Sequence, residues 1–338
     1  YYPDMIEHRS TAKSPIAMQG PTIKTYFAKE QAIVPKRIVN VALTPCTAKK
    51  FEIRREELHA AANYHGIEGM RDMDYVLTTR ELAKWAKEEE IDFDNLPDAK
   101  YDPLMSEASG GGVLFGNSGG VMEAALRTAY YMITDSKPPA DLLQYEPVRG
   151  IDGVKETTVS IRDIKLKAAV VHGTANAKTL LEKLKTGESH YDFIEVMTCP
   201  GGCIGGGGQP KEYLMSSETL HESRMKALYQ KDAGMKIRSS YENPEIIQLY
   251  EKFYGKPLNE LAEKMLHTNY IDRSTDLTKG MVKEMKNFKC KVCGYIHEAK
   301  SLQEDFTCPI CKVPASQFEE LVETEETGTS NYAGQTTD

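Results

Sequence analysis

No apolar run in this chain approaches the roughly 18–20 residues that a membrane span needs. No stretch has the charged, apolar and cleavage-site plan of a signal peptide. Positive charge is not in excess: 42 Lys and Arg stand against 50 Asp and Glu, a net charge of −8. That balance argues against nucleic-acid binding as the main business. No repeat recurs at a fixed period, and a starting Met is missing. The chain opens on Tyr1-Tyr2-Pro3, which reads as a processed product or a fragment. What is present is ordinary for a globular protein: 27% charged and 40% apolar residues exclude wholesale disorder. A length of 338 residues suits about two domains and a core that needs no disulfides. A cytoplasmic location is expected.

Cysteine is scarce but not scattered. Of seven, one stands alone at Cys46 and two lie four apart at Cys199 and Cys203. The other four form two CxxC pairs, Cys290 with Cys293 and Cys308 with Cys311. Without a secretory signal, such spacing reads as metal ligation before disulfides.

Short apolar runs alternate with amphipathic ones over the first 275 or so residues. The pattern predicts strands at Ile38–Leu43, Asp74–Leu77 and Phe193–Met197, and a strand pair, Val154–Ile161 with Ile164–Val171. Helices are expected at Arg80–Glu90 (capped by Thr78 or Thr79), Gly120–Ile133, Ala177–Lys185, Ser216–Gln230, Pro244–Tyr254 and Leu258–His267. This alternation predicts an α/β domain with small buried sheets flanked by helices. The expected organisation is a large domain over 1–275, a linker over 276–286, a small metal-knuckle domain over 287–322 and a disordered tail over 323–338.

Cys290-Lys-Val-Cys293-Gly-Tyr and Cys308-Pro-Ile-Cys311 make the stronger of two metal signals. A CxxC turn aims two thiolates at one point, and two such turns form a tetrahedral S4 site for Fe or Zn, not Mg or Ca. A structural zinc ribbon is one reading. The knuckle residues and the late Phe318 resemble the rubredoxin module, in the short version that rubrerythrins carry. That resemblance implies one mononuclear iron shuttling between ferrous and ferric states, with zinc as the alternative.

Cys199-Pro-Gly-Gly-Cys203 follows a strand and runs into Gly205–Gly208, then Gln209-Pro210. Two thiols on a glycine-dense loop can reach one cluster, because glycine lets backbone pass close to a bulky group. The glycines could also cradle a phosphate, but no Lys-Ser/Thr follows them. Cys46, taken alone, reads as a buried structural cysteine before a ligand.

Together these segments resemble the catalytic domain of the [FeFe]-hydrogenases. Thr44-Pro45-Cys46-Thr47-Ala48-Lys49-Lys50-Phe51-Glu52 looks like that family's second cluster-binding motif, and Glu195 through Cys203 to Gln209-Pro210 looks like its third. Arg80–Ala83, Ser109–Ala124 and Tyr254–Thr268 also match, so the likeness runs from about Tyr1 to Tyr270. It implies an H-cluster: a [4Fe–4S] cube joined to a diiron unit carrying CO, cyanide and a bridging dithiolate. Carried over residue by residue, Cys46 and Cys199 would hold the cube and Cys203 would bridge to the diiron unit. Lys49 would donate to a cyanide, Met197 and Phe115 would pack around the diiron unit, and Ser10 would sit on the proton path. The implied activity is the reversible interconversion of H2 with protons and electrons under anaerobic conditions. The implied partners are a ferredoxin- or NAD(P)H-linked redox protein and the cofactor maturases.

Two departures stand out. The family's first motif, with the remaining cube ligand and the proton-donating cysteine, would lie about a dozen residues before Tyr1. The 338 residues alone are therefore expected to be inactive. Thr44 and Ile16 stand where Met and Gln are familiar, which suggests a different subgroup. Two other functions share the pattern: a hydrogenase-like iron–sulfur assembly factor without a diiron unit, and an H2-sensing or electron-relay protein. His172, His190, His59, His65, His221, His267 and Trp85 take packing or surface readings, and Glu52 either supports Lys49 or caps a helix.

Overall fold

The computed structural model describes residues 2–102, 105–212, 214–275, 286–299, 302 and 305–321. The tail expected at 323–338, and the expected linker apart from Lys286, lie outside the described residues. The chain divides into two compact units: Thr11–Asn269, and the described parts of Tyr1–Ser10 with Tyr270–Asp338.

In the larger unit two small sheets carry the ends that matter. Strands β1 (Val41–Thr44) and β2 (Tyr75–Thr78) pair in parallel, Val41 opposite Tyr75 and Thr44 opposite Thr78. Ala42 and Val76 turn inward onto Ile53, Met73 and Ile16, while Val41, Leu43 and Tyr75 face outward and are exposed. One face of this sheet is thus buried, as the period of two dictates. The strand starts three residues later than the apolar run suggests. Asn40 is taken by side-chain bonding: its Nδ2 donates to Gly20 O (3.0 Å) and Asp72 O (2.7 Å). β2 passes directly into the helix Thr79–Glu88, capped by Thr78 and Glu81 in a reciprocal pair.

The second sheet orders β3 (Val154–Ile161), β4 (Ile164–His172) and β5 (Phe193–Met197), with β3–β4 antiparallel and β4–β5 parallel. β4 is central. Ala168 and Val170 pack on Met122, Leu126 and Val148, and Ala169 and Val171 pack on Leu180. This burial on both faces is why the strand reads as a continuous apolar run. Full burial stabilises by about 1.5–3 kcal/mol for each valine.

The helices Gly120–Thr134 and Ser217–Gly234 are joined by a buried ion network. Arg127 reaches Asp232 at 2.8 Å and Glu123 at 2.7 Å, and none of the three is more than 1% exposed. A third core gathers Tyr26, Leu249, Tyr254 and Met265. The expected helix Pro244–Tyr254 is a helix only over Pro244–Leu249, and Tyr250–Tyr254 widens into a π-turn. The helical run Pro15–Thr22 carries no sequence prediction, because Pro21 lies inside it.

In the smaller unit, β6 (Lys286–Cys290) lies between β7 (Ile296–Ala299) and β8 (Phe318–Leu321), both pairings antiparallel. Phe288, Phe318, Cys290 and Cys308 form its core. The Arg9 guanidinium lies 3.9 Å from the Tyr270 ring centroid.

Candidate metal centres

The four C-terminal cysteines converge. Cys290 Sγ lies 3.6 Å from Cys311 Sγ, and Cys293 Sγ lies 3.5 Å from Cys308 Sγ. All four sulfurs fall within 4.8 Å of one another. Each CxxC turn closes by a backbone bond, Gly294 N–H to Cys290 O (2.9 Å) and Lys312 N–H to Cys308 O (3.0 Å). Gly294 and Lys312 both take the left-handed conformation that this reversal demands. Burial pushes the Cys308 thiol up, but the N–H groups of Cys311 and Ile310 and the neighbouring sulfurs outweigh it and bring it down to about 6. Burial and its neighbouring thiols push Cys311 the other way, up to about 12. Four thiols gathered within 4.8 Å of one another are ready-made ligands for one soft ion.

The second site is built from two strand ends. β1 delivers Cys46 just past Thr44, whose Oγ1 accepts the Cys46 N–H at 3.3 Å. β5 delivers Cys199 and Cys203. The glycine loop then folds back against the Cys46 turn, where Gly208 N–H donates to Pro45 O at 2.8 Å. Arg80 clamps the far side, its N–H on Gly208 O (3.0 Å) and its guanidinium on Gly207 O (2.6 Å). A Cβ at Gly206 would lie 2.4 Å from Pro45 O, and one at Gly208 would lie 2.5 Å from Thr78 Cβ. Space, not backbone angle, requires glycine at these two positions. Gly202 needs both, since its φ is +96° and a Cβ would meet Ser118 N at 2.6 Å. The loop is also tied to the segment 116–118 by Ile204 N–H to Gly116 O (3.1 Å) and Ser118 N–H to Gly201 O (2.9 Å).

These contacts bring Cys46, Cys199, Cys203, Lys49 and Glu195 into one electrostatic neighbourhood. Burial pushes the Cys203 thiol up, as do Cys46, Cys199 and Glu195, while Lys49 pulls it down. Burial and Cys46 also raise Cys199, against a backbone N–H at Gly207. Lys49 is held by Glu52 at 2.6 Å. Glu195 is buried and accepts from the N–H groups of Gly119 (2.6 Å) and Met122 (2.7 Å), at the start of the helix Gly120–Thr134. That end carries the positive pole of the helix.

Of the residues singled out by sequence, the three cysteines and Lys49 are brought together. Met197 ends β5 opposite His172. Phe115 is half-buried and precedes Gly116, whose carbonyl receives the loop. Ser10 is exposed and belongs to the other unit of the chain. Ile16, where a polar residue is familiar, packs on the β1–β2 core. His172 is more than the packing residue expected: it hydrogen-bonds the cysteine loop at Gly201. Glu195 and Ser118 are further participants; each lay inside a matched stretch, Glu195 in the third motif and Ser118 in Ser109–Ala124, but neither was singled out by its residue type.

The donor set fits an iron–sulfur cluster. Cys46, Cys199 and Cys203 are soft thiols, yet they are not among the described groups tight enough for a single ion. Soft thiolates on glycine-rich backbone are the donors that iron–sulfur clusters take. Beside Gly202, the buried Ser118 Oγ and Asn117 Oδ1 have no hydrogen-bond partner.

Comparison with known proteins agrees with this geometry. Residues 1–207 match the family described as "Iron only hydrogenase large subunit, C-terminal domain". Residues 218–273 match "Iron hydrogenase small subunit", and residues 288–319 match "Rubrerythrin, rubredoxin-like domain". The chain is 46% identical over 272 residues to the NADP-reducing hydrogenase subunit HndD of Solidesulfovibrio fructosivorans, covering 80% of this chain and 44% of that protein. It is 50% identical over 210 residues to the periplasmic [Fe] hydrogenase large subunit of Nitratidesulfovibrio vulgaris, covering 62% and 48% respectively. It is 31% identical over 274 residues to the cytosolic iron-sulfur assembly component 3 of Bos taurus, covering 79% and 54%. A solved structure of apo [FeFe]-hydrogenase HydA1 from Chlamydomonas reinhardtii superposes with a TM-score of 0.66 at 38% identity, over 80% of this chain and 72% of that one. The chain spans about half the length of these curated relatives.

Proposed function

This chain belongs to the iron-only hydrogenase large-subunit family, and we propose that it is a catalytic part of an iron hydrogenase interconverting H2 with protons and electrons. The supporting observation is that Cys46, Cys199, Cys203 and Lys49 converge, although about 150 residues separate the two motifs. Cys46 and Cys199 would hold the cube, and Cys203 would join it to the diiron unit. Such a cofactor supplies low-potential electron transfer and an open iron site for H2. Lys49 presents a positive charge that Glu52 orients, and Met197 and Phe115 would supply apolar cover. The raised Cys199 and Cys203 thiols must lose their protons on ligation, so cluster binding releases protons here.

The four-cysteine site is proposed as a one-iron electron port. It has its own aromatic core, and Val292 and Ile310, within the two knuckles, are exposed apolar side chains beside the sulfurs. A ferredoxin- or NAD(P)H-linked protein is the partner proposed for it. A mononuclear S4 iron usually sits at a higher potential than a hydrogen-evolving cluster, so the port suits accepting electrons from H2 oxidation.

The second reading is an assembly factor, supported by the 31% identity to the assembly component. The presence of Lys49, Met197 and Cys203 together favours the hydrogenase. The deciding experiment is infrared spectroscopy of the anaerobically matured enzyme that contains this chain together with the first cysteine motif. Bands from CO and cyanide with dye-linked H2 turnover are expected. A bound cube without those bands would support the assembly reading instead.

A further inference from the structure

We propose that His172 is a positioning residue for the Cys199–Cys203 loop, setting the height of the loop by bridging Gly201 to the turn at Ile151. His172 ends β4, directly opposite Met197 in the parallel register with β5. Its backbone is therefore pinned two residues before the first thiol of the loop. Its side chain is only 6% exposed.

The two ring nitrogens have different partners. Nε2 lies 2.9 Å from Ile151 O, and a carbonyl can only accept, so Nε2 carries the proton. Nδ1 lies 3.0 Å from Gly201 N, and a backbone N–H can only donate, so Nδ1 offers its lone pair. The hydrogen bonds thus assign one tautomer, and the ring acts as a strut between two loops. Gly201 is held at both ends, because its carbonyl accepts the Ser118 N–H at 2.9 Å. Its φ of +73° is one that few other residues take, so the loop relies on external bonds to keep this shape. The opposite loop is equally fixed: Lys155 Nζ donates to Gly150 O (2.9 Å) and Ser118 O (3.3 Å). Without the strut, Cys199 and Cys203 keep their chemistry but lose their fixed separation.

The proposal rests on the reading of this loop as cluster-bearing, and the test separates the two. Four variants are compared: His172→Phe, which keeps bulk but neither bond, His172→Asn, which keeps the Gly201 acceptor, His172→Gln, which keeps reach to Ile151, and Cys199→Ala. Each is loaded with ferrous iron and sulfide under anaerobic conditions. The readouts are the rate of cluster iron loss to a chelator, the electron paramagnetic resonance spectrum of the reduced cluster, and amide exchange at Gly201 in the metal-free protein. Supporting partners of metal ligands typically matter about 10- to 100-fold, so iron loss about tenfold faster or more is expected in the Phe and Gln variants. The Asn variant should return to within about twofold of the parent, with its spectrum and Gly201 protection restored. Iron at the four-cysteine site serves as the internal reference. If the Phe variant does not fold, the order of Asn and Gln carries the test. Parent-like release in Phe and Gln, or equal impairment of Asn and Gln, overturns the positioning role. A Cys199→Ala protein that keeps the cluster overturns the cluster reading itself.

Discussion

Lys49 and Glu52 form an ion pair at 2.6 Å, and the other carboxylate oxygen of Glu52 accepts the hydroxyl of Ser14. Both residues sit on the single helical turn Lys49–Glu52, three positions after Cys46. The carboxylate therefore aims the lysine rather than cancelling it, and the ammonium still draws the Cys203 thiol down against burial. Replacing Lys49 by Asn should cost one charge-assisted hydrogen bond of about 1.5–3 kcal/mol, or roughly ten- to a hundredfold. Dye-linked H2 evolution and the intensity of the cyanide bands measure it. Glu52→Gln, which keeps the lysine, should lose much less. Full activity in Lys49→Asn would make this a surface lysine.

Cys203→Ala should abolish the CO and cyanide bands while leaving the visible absorption of the C-terminal iron site unchanged. The two sets of thiols belong to separate units of the chain, so the second signal is a control for folding. Persistence of the bands would refute the bridging role of Cys203.

Gly206→Ala tests the close approach of the loop to the Cys46 turn. Its φ of −58° suits alanine, so any penalty comes from the Pro45 carbonyl 2.4 Å from the added carbon. Overpacking of this kind typically costs about 1–3 kcal/mol. Iron and sulfide content should fall, and thermal unfolding should shift down by a few degrees. Undiminished cluster content would show that the two turns can separate freely.

The buried network should govern acid stability. Burial pushes the Asp232 carboxyl up, but Arg127 and Arg238 outweigh it and hold it below the ordinary carboxylate range. A depressed folded-state pKa contributes stability that is complete above the unfolded value, about 3.9, and is lost as pH falls through the lower folded value. Stability measured by circular dichroism should therefore decline below about pH 4 in the parent protein. Asp232→Asn should remove that part of the decline and cost roughly 3–5 kcal/mol at neutral pH, because it strands buried guanidinium groups.

Truncation at Asn287, made in the enzyme that also carries the first cysteine motif, should leave the H-cluster spectra and dye-linked activity largely intact, while electron transfer to a protein partner falls. Loss of the H-cluster on truncation, or a purified C-terminal unit that holds only zinc, would rule out the electron port.

Much of this could be read from the residues themselves. β3 and β5 lie where their apolar patterns end, and the Thr78 cap was visible in its side chain. The two CxxC turns specify a metal site by spacing alone, because four sulfurs on two short turns have few other ways to pack. The Cys199–Cys203 loop was legible through its motif. The bonds that hold it were not. His172 reaches Gly201 across 29 residues of sequence, and the Gly208 bond to Pro45 spans more than 160. Pairings that distant leave no periodic trace. The helix Gly110–Leu114 was hidden for a different reason: its three glycines are poor helix formers, and Gly110 is required because a Cβ would lie 2.0 Å from Asp232 Oδ1.

The Arg127–Asp232 ion pair joins two parts of the chain that match different family descriptions. Arg127 lies in the stretch that matches a large subunit, and Asp232 in the stretch that matches a small one. Between them the exposed Leu214 and Met215 mark the seam. Were these separate polypeptides, burying that charge network would be a bimolecular event, weakened by every dilution. On one chain the partner arrives at the high effective concentration of a tether. Stoichiometry is then fixed at one to one by translation. A protease cut at the seam should release neither part, because the join is needed for the meeting and not for the hold.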